Sequence, residues 1–382
     1  MPTISLRKPL TLVVTLEGLS ASALPAYGCS WSETPMLDQL TAGGLVYDRF
    51  SAVSDLPNAV AANWIANAPR LTDGKKSLLL TDVPTVADAA METFSQTVVV
   101  DPATQSASQP AMDMDESCCW KLFAQWLAAI DDHTQLAWLH SDWLCRLWDA
   151  PIDEEKDQTQ EAPPEEDEIQ LDDPLPGTEA AEHEVTVPTF RLPQTAAAPR
   201  YQITAQDDPD QLFAWMNRYA RQIEVLDQVI QQTSEVLNHR RLRWLIAGSS
   251  GYSLGENGWV GHRIGPLRSS DIRLPLVLSS GGPMRCGTLV DSNQLPEILQ
   301  KLHAKQPVLT PQQWAEQDEE LSPVVETQSD RAEKAATTAS WFYVKESSPD
   351  TPAVERLFLK PDDLCDVNDV SRLQPDVVDQ LS

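Results

Sequence analysis

The chain has 382 residues with 28 basic and 57 acidic side chains, a formal net charge of −29, and 42% hydrophobic residues. Such a length accommodates two domains or one large α/β domain with an appendage, and the apolar content suffices for a sizeable core, which excludes wholesale disorder. The excess of negative charge repels phosphate backbones and anionic headgroups, so neither a nucleic acid nor a membrane surface is expected as a partner.

No apolar run approaches the ~20 residues of a membrane span. Arg7 and Lys8 precede a short apolar run without a small-residue cleavage site, which reads as a first strand rather than a leader. The six cysteines, two of them adjacent (Cys118, Cys119), form no C-x-x-C pair and no disulfide framework. A reduced, cytoplasmic protein is the expectation.

Taken in chain order, strand and helix patterns alternate. Leu10–Leu16 is a continuous apolar run suited to a buried strand. Thr34 followed by Pro35 gives an N-cap and first helical residue, with Met36, Leu37 and Leu40 at helical spacing. Ser54 or Asp55 is expected to cap a helix through Val60, Trp64 and Ile65, with Pro57 in its first turn. Leu78–Leu80 and Thr97–Val100 read as strands flanking a helix at Val83–Thr93, then comes an apolar helix at Ser117–Ile130 and a strand at Leu136–His140. Leu212, Trp215, Tyr219, Ile223, Leu226 and Ile230 mark a long amphipathic helix. Arg243–Ala247 and Leu274–Leu278 are strands, Asp291–Leu302 is a helix, Trp341–Lys345 and Arg356–Leu359 pair as a hairpin, and a last helix lies near Gln374–Leu381. The fold class expected is α/β: a mainly parallel sheet with helices on both faces, plus a small C-terminal α+β subdomain.

Two breaks interrupt this pattern. From Asp153 to Glu184 there are 14 acidic residues against the single Lys156, with Pro163, Pro164, Pro174 and Pro176 and almost nothing large and apolar. Such a segment buries too little to offset its ordering entropy and is predicted to be a disordered spacer. The polar stretch 316–338 reads as a linker. The predicted organisation is thus 1–150 and 201–315 as the halves of one α/β domain, 151–200 as an acidic, Pro-rich insertion, 316–338 as the linker and 339–382 as the subdomain.

Ligands of open α/β sheets bind beyond the carboxyl ends of the strands, and there the landmarks fall in an informative order. Thr15-Leu-Glu-Gly-Leu leads to Tyr27-Gly28 and then to Thr34-Pro-Met-Leu-Asp-Gln-Leu-Thr-Ala-Gly43-Gly44. Downstream come Arg243-Trp-Leu-Ile-Ala-Gly-Ser-Ser-Gly-Tyr-Ser-Leu-Gly-Glu256-Asn-Gly-Trp-Val-Gly-His262, Ile272-Arg-Leu-Pro-Leu-Val-Leu278 and Arg356-Leu-Phe-Leu-Lys-Pro-Asp-Asp. In order and spacing these segments resemble the sulfatase family, of the alkaline-phosphatase-like superfamily, over nearly the whole chain outside the acidic insertion.

The resemblance implies a divalent cation, usually Ca²⁺, held by two aspartates after the first strand and an Asp with Asn or His after a later one. Those positions match Glu17, Gly18, Ser249 and Ser250, which supply one carboxylate where a hard cation takes ~6–8 oxygen ligands with several charges among them. The family nucleophile motif C/S-x-P-x-R matches Asp55-Leu-Pro-Asn-Ala59, with Asp55 at the nucleophile and Ala59 in place of the Arg. Cys145 or a neighbour stands near the position of a family substrate-binding His. His262 and Arg263 stand where the family places a basic residue on the ester oxyanion, and His262 reads equally as an anion contact or a turn residue. His140 lies inside a strand, as core histidines do, and the Gly248–Gly251 turn either presents N–H groups to an anion or simply reverses the chain.

The expectation is a sulfatase-like pseudoenzyme with no cofactor, binding a protein or a small anionic ligand. The alternative is a metal-dependent hydrolase of sulfate or phosphate esters working through Asp55, Glu17 (as a vestigial metal position) and His262, with Arg263 on the substrate.

Overall fold

A computed structural model describes residues 8–71, 75–102, 108–152, 195–308, 324–348 and 351–382. The strand that organises the molecule is β1 (Pro9–Leu16), whose last seven residues are all buried. It pairs in parallel with two strands distant in sequence, because a strand apolar on both faces is stable only inside a covered sheet.

After β1 the described chain runs through α1 (Pro35–Ala42), β2 (Leu45–Ser51), α2 (Pro57–Ala66), β3 (Lys76–Thr81), α3 (Pro84–Ala89), β4 (Gln96–Val99), α4 (Cys118–Ala129), β5 (Thr134–Ser141) and the single turn α5 (Trp143–Arg146). Beyond the acidic segment come β6 (Tyr201–Gln202), the 28-residue α6 (Pro209–Val236), β7 (Arg241–Gly248), β8 (Ser253–Leu254), β9 (Trp259–Gly261), α7 (Ser269–Ile272), β10 (Arg273–Leu278), β11 (Met284–Cys286), β12 (Val290–Asp291) and α8 (Leu295–Ala304). The C-terminal part holds β13 (Val325–Glu326), β14 (Lys334–Thr337), β15 (Trp341–Ser348), β16 (Thr351–Leu359) and α9 (Pro375–Leu381).

The nine-stranded main sheet has the order β11-β2-β10-β7-β1-β5-β3-β4, with β12 also on β2. Every pairing in it is parallel except those of β10, which runs antiparallel to both β2 and β7. Alternate residues of β1 serve opposite cores: Leu12 and Val14 pack with the α4 and α6 side chains Trp126, Tyr219 and Ile223, while Val13 joins Trp64, Val86 and Leu299 from α2, α3 and α8. Helices thus cover both faces, as the pattern predicted.

Several local expectations are corrected. Thr34 precedes α1 but its side chain makes no capping bond. The buried carboxylate of Asp227 on α6 instead accepts from Met36 N at 3.1 Å and Leu37 N at 2.7 Å. Neither Ser54 nor Asp55 caps α2, whose N-cap is Leu56, although Pro57 does open the helix. The stretch 316–338 is not purely a linker, since β13 and β14 lie within its described part and join β15 and β16 in a four-stranded sheet. The core of the predicted acidic spacer, 153–194, lies outside the described residues. No helix among the described residues is long and apolar enough to cross a membrane.

Candidate functional site

The registers bring three strand ends level: Leu16 on β1 lies opposite Ser141 on β5 and Gly248 on β7. The residues one step beyond, Glu17, Asp142 and Ser249, therefore share one edge of the sheet. Glu17 N donates to Ser141 O at 3.0 Å, and Ser249 N to Leu16 O at 2.9 Å. The Glu17 side chain is buried, with Oε1 lacking a hydrogen-bond partner.

His140 is fully buried on β5, its Nδ1 2.9 Å from Thr15 Oγ1, which in turn accepts from Trp138 Nε1 at 2.8 Å. His140 Nε2 has no partner and stands 3.9 Å from Glu17 Oε1, too far for a hydrogen bond. Burial, reinforced by the charges of Asp142 and Asp82 against the opposing Arg146, pushes Glu17 up to about 8, while burial holds His140 down to about 3. At neutral pH both are uncharged, so the contact is not an ion pair. Beside them Asp82, at the end of β3, accepts from Ser141 Oγ at 2.8 Å and Arg146 at 2.6 Å, and Arg146 also binds Asp142. Burial first, then the charge of Asp142, raises Asp82 to about 6.

Gly18 turns the chain away from β1 with φ +76°, and its N–H donates to Ser250 Oγ at 2.9 Å. Tyr219 of α6 donates its hydroxyl to Gly18 O at 2.7 Å and accepts from Ser20 N at 3.0 Å. A Cβ on residue 18 would lie 2.6 Å from Cys145 Sγ and 3.0 Å from the Tyr252 ring. The thiol is 2.9 Å from His262 Nε2, and Tyr252 meets the imidazole edge to face at 5.5 Å between centroids. His262 is thus neither a bare turn residue nor, in this geometry, free to contact an anion through Nε2. The Gly248–Gly251 turn is committed too, since Gly251 N donates to Asp271 O at 3.0 Å and a Cβ at 251 would strike Ser270 O at 2.0 Å.

Asp55 belongs to a second, charged cluster. Its Oδ2 accepts from Arg331 Nε at 2.8 Å and Ser329 Oγ at 2.7 Å, and Arg331 also reaches Asp271 at 3.1 Å and Arg263 O at 3.3 Å. Arg263 is buried, bonded to Ser253 Oγ at 3.1 Å and Glu256 O at 2.9 Å and 3.5 Å from Asp271. The two clusters adjoin at His262-Arg263, where the Arg331 charge bears on His262, and at Gly251, whose N–H donates to Asp271 O. Glu17, Gly18, Ser250, Cys145 and His262 come together, while Asp55 and Arg263 join Arg331 and Asp271.

No family model matches the chain, and none of the curated proteins is similar to it in sequence. Solved structures do match. The phosphonate monoester hydrolase of Agrobacterium radiobacter superposes with a TM-score of 0.64 at 12% identity, over 98% of this chain and 94% of that one. The phosphonate monoester hydrolase of Silicibacter pomeroyi gives 0.61 at 12% identity, over 98% and 95%. BT1596, a 2-O GAG sulfatase, gives 0.59 at 11% identity, over 98% and 90%. The fold is that of the sulfatases and phosphonate monoester hydrolases.

In the sulfatase fold the ends of β1 and β7 are the expected cation position, and the residues here do not fit one. Glu17 is the lone carboxylate among Glu17, Gly18, Ser249 and Ser250, where a hard cation takes several charged oxygens. The space an acidic side chain at 18 would need is filled by the Cys145 sulfur and the Tyr252 ring. Among the described residues no group of three or more His, Cys, Asp or Glu is placed to hold a metal ion.

Sequence reasoning named Cys145 and His262 separately but missed their contact, which joins α5 to the segment after β9. It also missed Arg331, hidden in a stretch that read as a linker.

Proposed function

We propose that this sulfatase-fold chain is a pseudoenzyme: it retains the scaffold, lacks ester hydrolysis, and serves as a binding or structural partner for a protein or small anionic ligand. The observation that carries this reading is the Cys145 thiol, packed against Gly18 only 2.6 Å from where a Cβ on residue 18 would stand. It supports a site repacked from within rather than one awaiting its cation. The competing reading, an active hydrolase of sulfate or phosphate esters, needs Asp55 as nucleophile, yet Asp55 Oδ2 is held by Arg331 and Ser329. An attacking carboxylate also needs compensating charge on the transferring group, and losing one such contact typically costs ~10²–10³ in rate.

Calorimetric titration with Ca²⁺, Mg²⁺, Mn²⁺ and Zn²⁺, followed by assays on aryl sulfate, aryl phosphate and phosphonate monoesters in each metal, tests the proposal. The expected result is no stoichiometric uptake and no turnover above background. Turnover that disappears in Asp55→Asn or Glu17→Gln would promote the hydrolase reading.

A further inference from the structure

We propose that the basic end of the molecule, at the amino ends of the parallel strands, is the docking surface for the chain's own acidic stretch, 153–184. The registers set Pro9 at the start of β1 beside Arg241 at the start of β7, and Lys76 at the start of β3 beside Thr134 at the start of β5. Arg240 ties these ends together: its guanidinium donates to the carbonyls of Asp131 and Pro9, both at 3.1 Å, and to that of Thr134. Arg243 reaches the Leu302 carbonyl at 3.0 Å and that of His303, at the end of α8, and the charges of Arg243 and Lys75 both bear on His303. Basic side chains from β1, β3, β7 and α8 thus share one edge of the sheet, opposite the edge that holds Glu17 and Asp142.

Their charge is largely unmatched. Arg240 and Arg243 are buried and spend their donors on carbonyl oxygens rather than on carboxylates. Lys8, Lys75, Arg241 and Lys305 are exposed, and none has an ion-pair partner among the described residues. Of the nearby carboxylates, Asp131 is engaged by Lys76 at 2.6 Å and Glu297 by Lys301 at 2.8 Å, which leaves Asp132 against the surplus. A chain of net charge −29 therefore has one cationic end.

The occupant follows from charge, reach and tethering. The stretch 153–184 carries 14 acidic residues against Lys156, the complement of this surface. It lies outside the described residues, but both points where the described chain stops before it and resumes after it sit against the middle of α6. Ala150 N donates to Gln222 Oε1 at 3.1 Å, and the Arg218 guanidinium donates to Thr195 O. From Gln222 to the end of α6 at Val236 is about 21 Å along the helix, and Arg240 follows at once. From Ile152 to Glu166 the chain can span up to about 46 Å, so the run Glu165-Glu-Asp-Glu168 reaches the basic edge with length to spare. Tethering supplies the stretch at a high effective concentration, which a free polyanion would have to exceed. The same stretch on a second copy comes with that copy's own charge of −29, so the intramolecular arrangement is favoured. The surface lies at the other edge of the sheet from the candidate site and does not depend on whether that site is inactive.

The test cross-links the full chain with a water-soluble carbodiimide, which joins lysine amines to carboxylates in direct contact, and maps the products by mass spectrometry. An equal mixture of unlabelled and nitrogen-15-labelled protein separates links within a chain from links between chains. The exposed Lys121 is the reference: its charge bears on Asp149, so it stands near the root of the stretch, where undirected sampling would favour it. At about 20 mM salt, links from 153–184 to Lys8, Lys75, Lys76 and Lys305 are expected to exceed those to Lys121 at least fivefold, all within one chain. At about 500 mM NaCl that excess should disappear, because screening shortens the attraction to a few ångströms. Arg241→Glu, which removes a charge without removing a cross-linking amine, should lower the yield at the basic edge at least threefold and leave Lys121 unchanged. Should that variant lose its native circular dichroism, the wild-type salt profile decides. A yield at the basic edge no greater than at Lys121, an excess that survives high salt, links between labelled and unlabelled chains, or an unchanged yield in folded Arg241→Glu would overturn the proposal.

Discussion

Glu17 carries a local conflict: a buried carboxyl just past an apolar strand, with one oxygen unpartnered, the neutral His140 imidazole 3.9 Å away and the charges of Asp142 and Asp82 bearing on it. Its proton is a stability term whose sign can be worked out. The folded chain keeps that proton up to about 8, whereas the unfolded chain releases it near 4.5. Stability from this group is therefore complete below 4.5 and is lost as the pH rises towards 8. His140 works in the opposite sense, since the unfolded chain takes up a proton below 6.5 that the folded chain refuses down to about 3. Asp82, raised to about 6, has lost its own contribution by that pH. Of these three groups Glu17 has the steepest effect between pH 6.5 and 8, falling from about 1.4 kcal/mol per pH unit at the lower end to about half that at 8, while His140 and Asp82 finish titrating with smaller effects near the lower end. Urea unfolding across that window should show the wild type weakening and Glu17→Gln holding level, with the variant the more stable at pH 8. A wild type indifferent to pH there would mean that Glu17 is already ionised in the folded state.

At the level of elements, strands and helices with one dominant pattern were legible and those shaped by distant partners were not. The run Leu10–Leu16 and the repeat from Leu212 to Ile230 specify β1 and α6 because burial follows directly from their apolar periodicity. In β2 that signal is interrupted: Asp48 and Arg49 lie mid-strand, and they are accommodated by Arg285 and by the carbonyl of Thr338 respectively. The antiparallel sense of β10 likewise depends on neighbours, β2 and β7, that its own residues do not reveal. In the candidate site, Glu17 and Ser250 were found because the resemblance to the sulfatase family marks the segments that follow β1 and β7, whereas Arg331 sits among polar residues whose structure comes from β13 and β14. Arg331 nevertheless ties this segment to Asp55 and Asp271, two carboxylates whose side chains are 4% and 9% exposed. Arg331→Ala strands Asp55 without a counter-charge, leaves Asp271 only Arg263 at 3.5 Å, and should cost about 3 kcal/mol. Adding Asp55→Asn should recover part of that loss, so a double-mutant cycle on chemical unfolding is expected to give a clear coupling energy. Additive effects would show that the guanidinium contributes nothing to holding Asp55.

Across the whole molecule, the C-terminal sheet behaves as a layer of the main domain rather than a separate body. Ala335, Phe342, Val344 and Phe358 are buried in the same core as Val13, Trp64 and Leu274, with the Phe342 and Phe358 rings stacked 6.2 Å apart. The sheet's other face has a much smaller cluster of its own, Ala336, Tyr343, Leu357 and Val378. Polar contacts repeat the connection: the Arg268 guanidinium lies 5.6 Å from the Phe358 centroid, and Ser269 N and Oγ both donate to Asp366. A layer that shares its core cannot melt alone without exposing apolar surface on the main domain, so unfolding is expected as one cooperative transition. Scanning calorimetry of the full chain should give a single peak. Phe358→Ala, at a cost of about 3–5 kcal/mol for a large buried aromatic, should move that peak down intact. A chain ending at residue 323 should fail to fold cooperatively and should bind a hydrophobic dye. Two separable transitions, with Phe358→Ala shifting only one of them, would instead make residues 324–382 an independent domain, and the ties from Arg331 and Phe358 would then be surface contacts of little energetic weight.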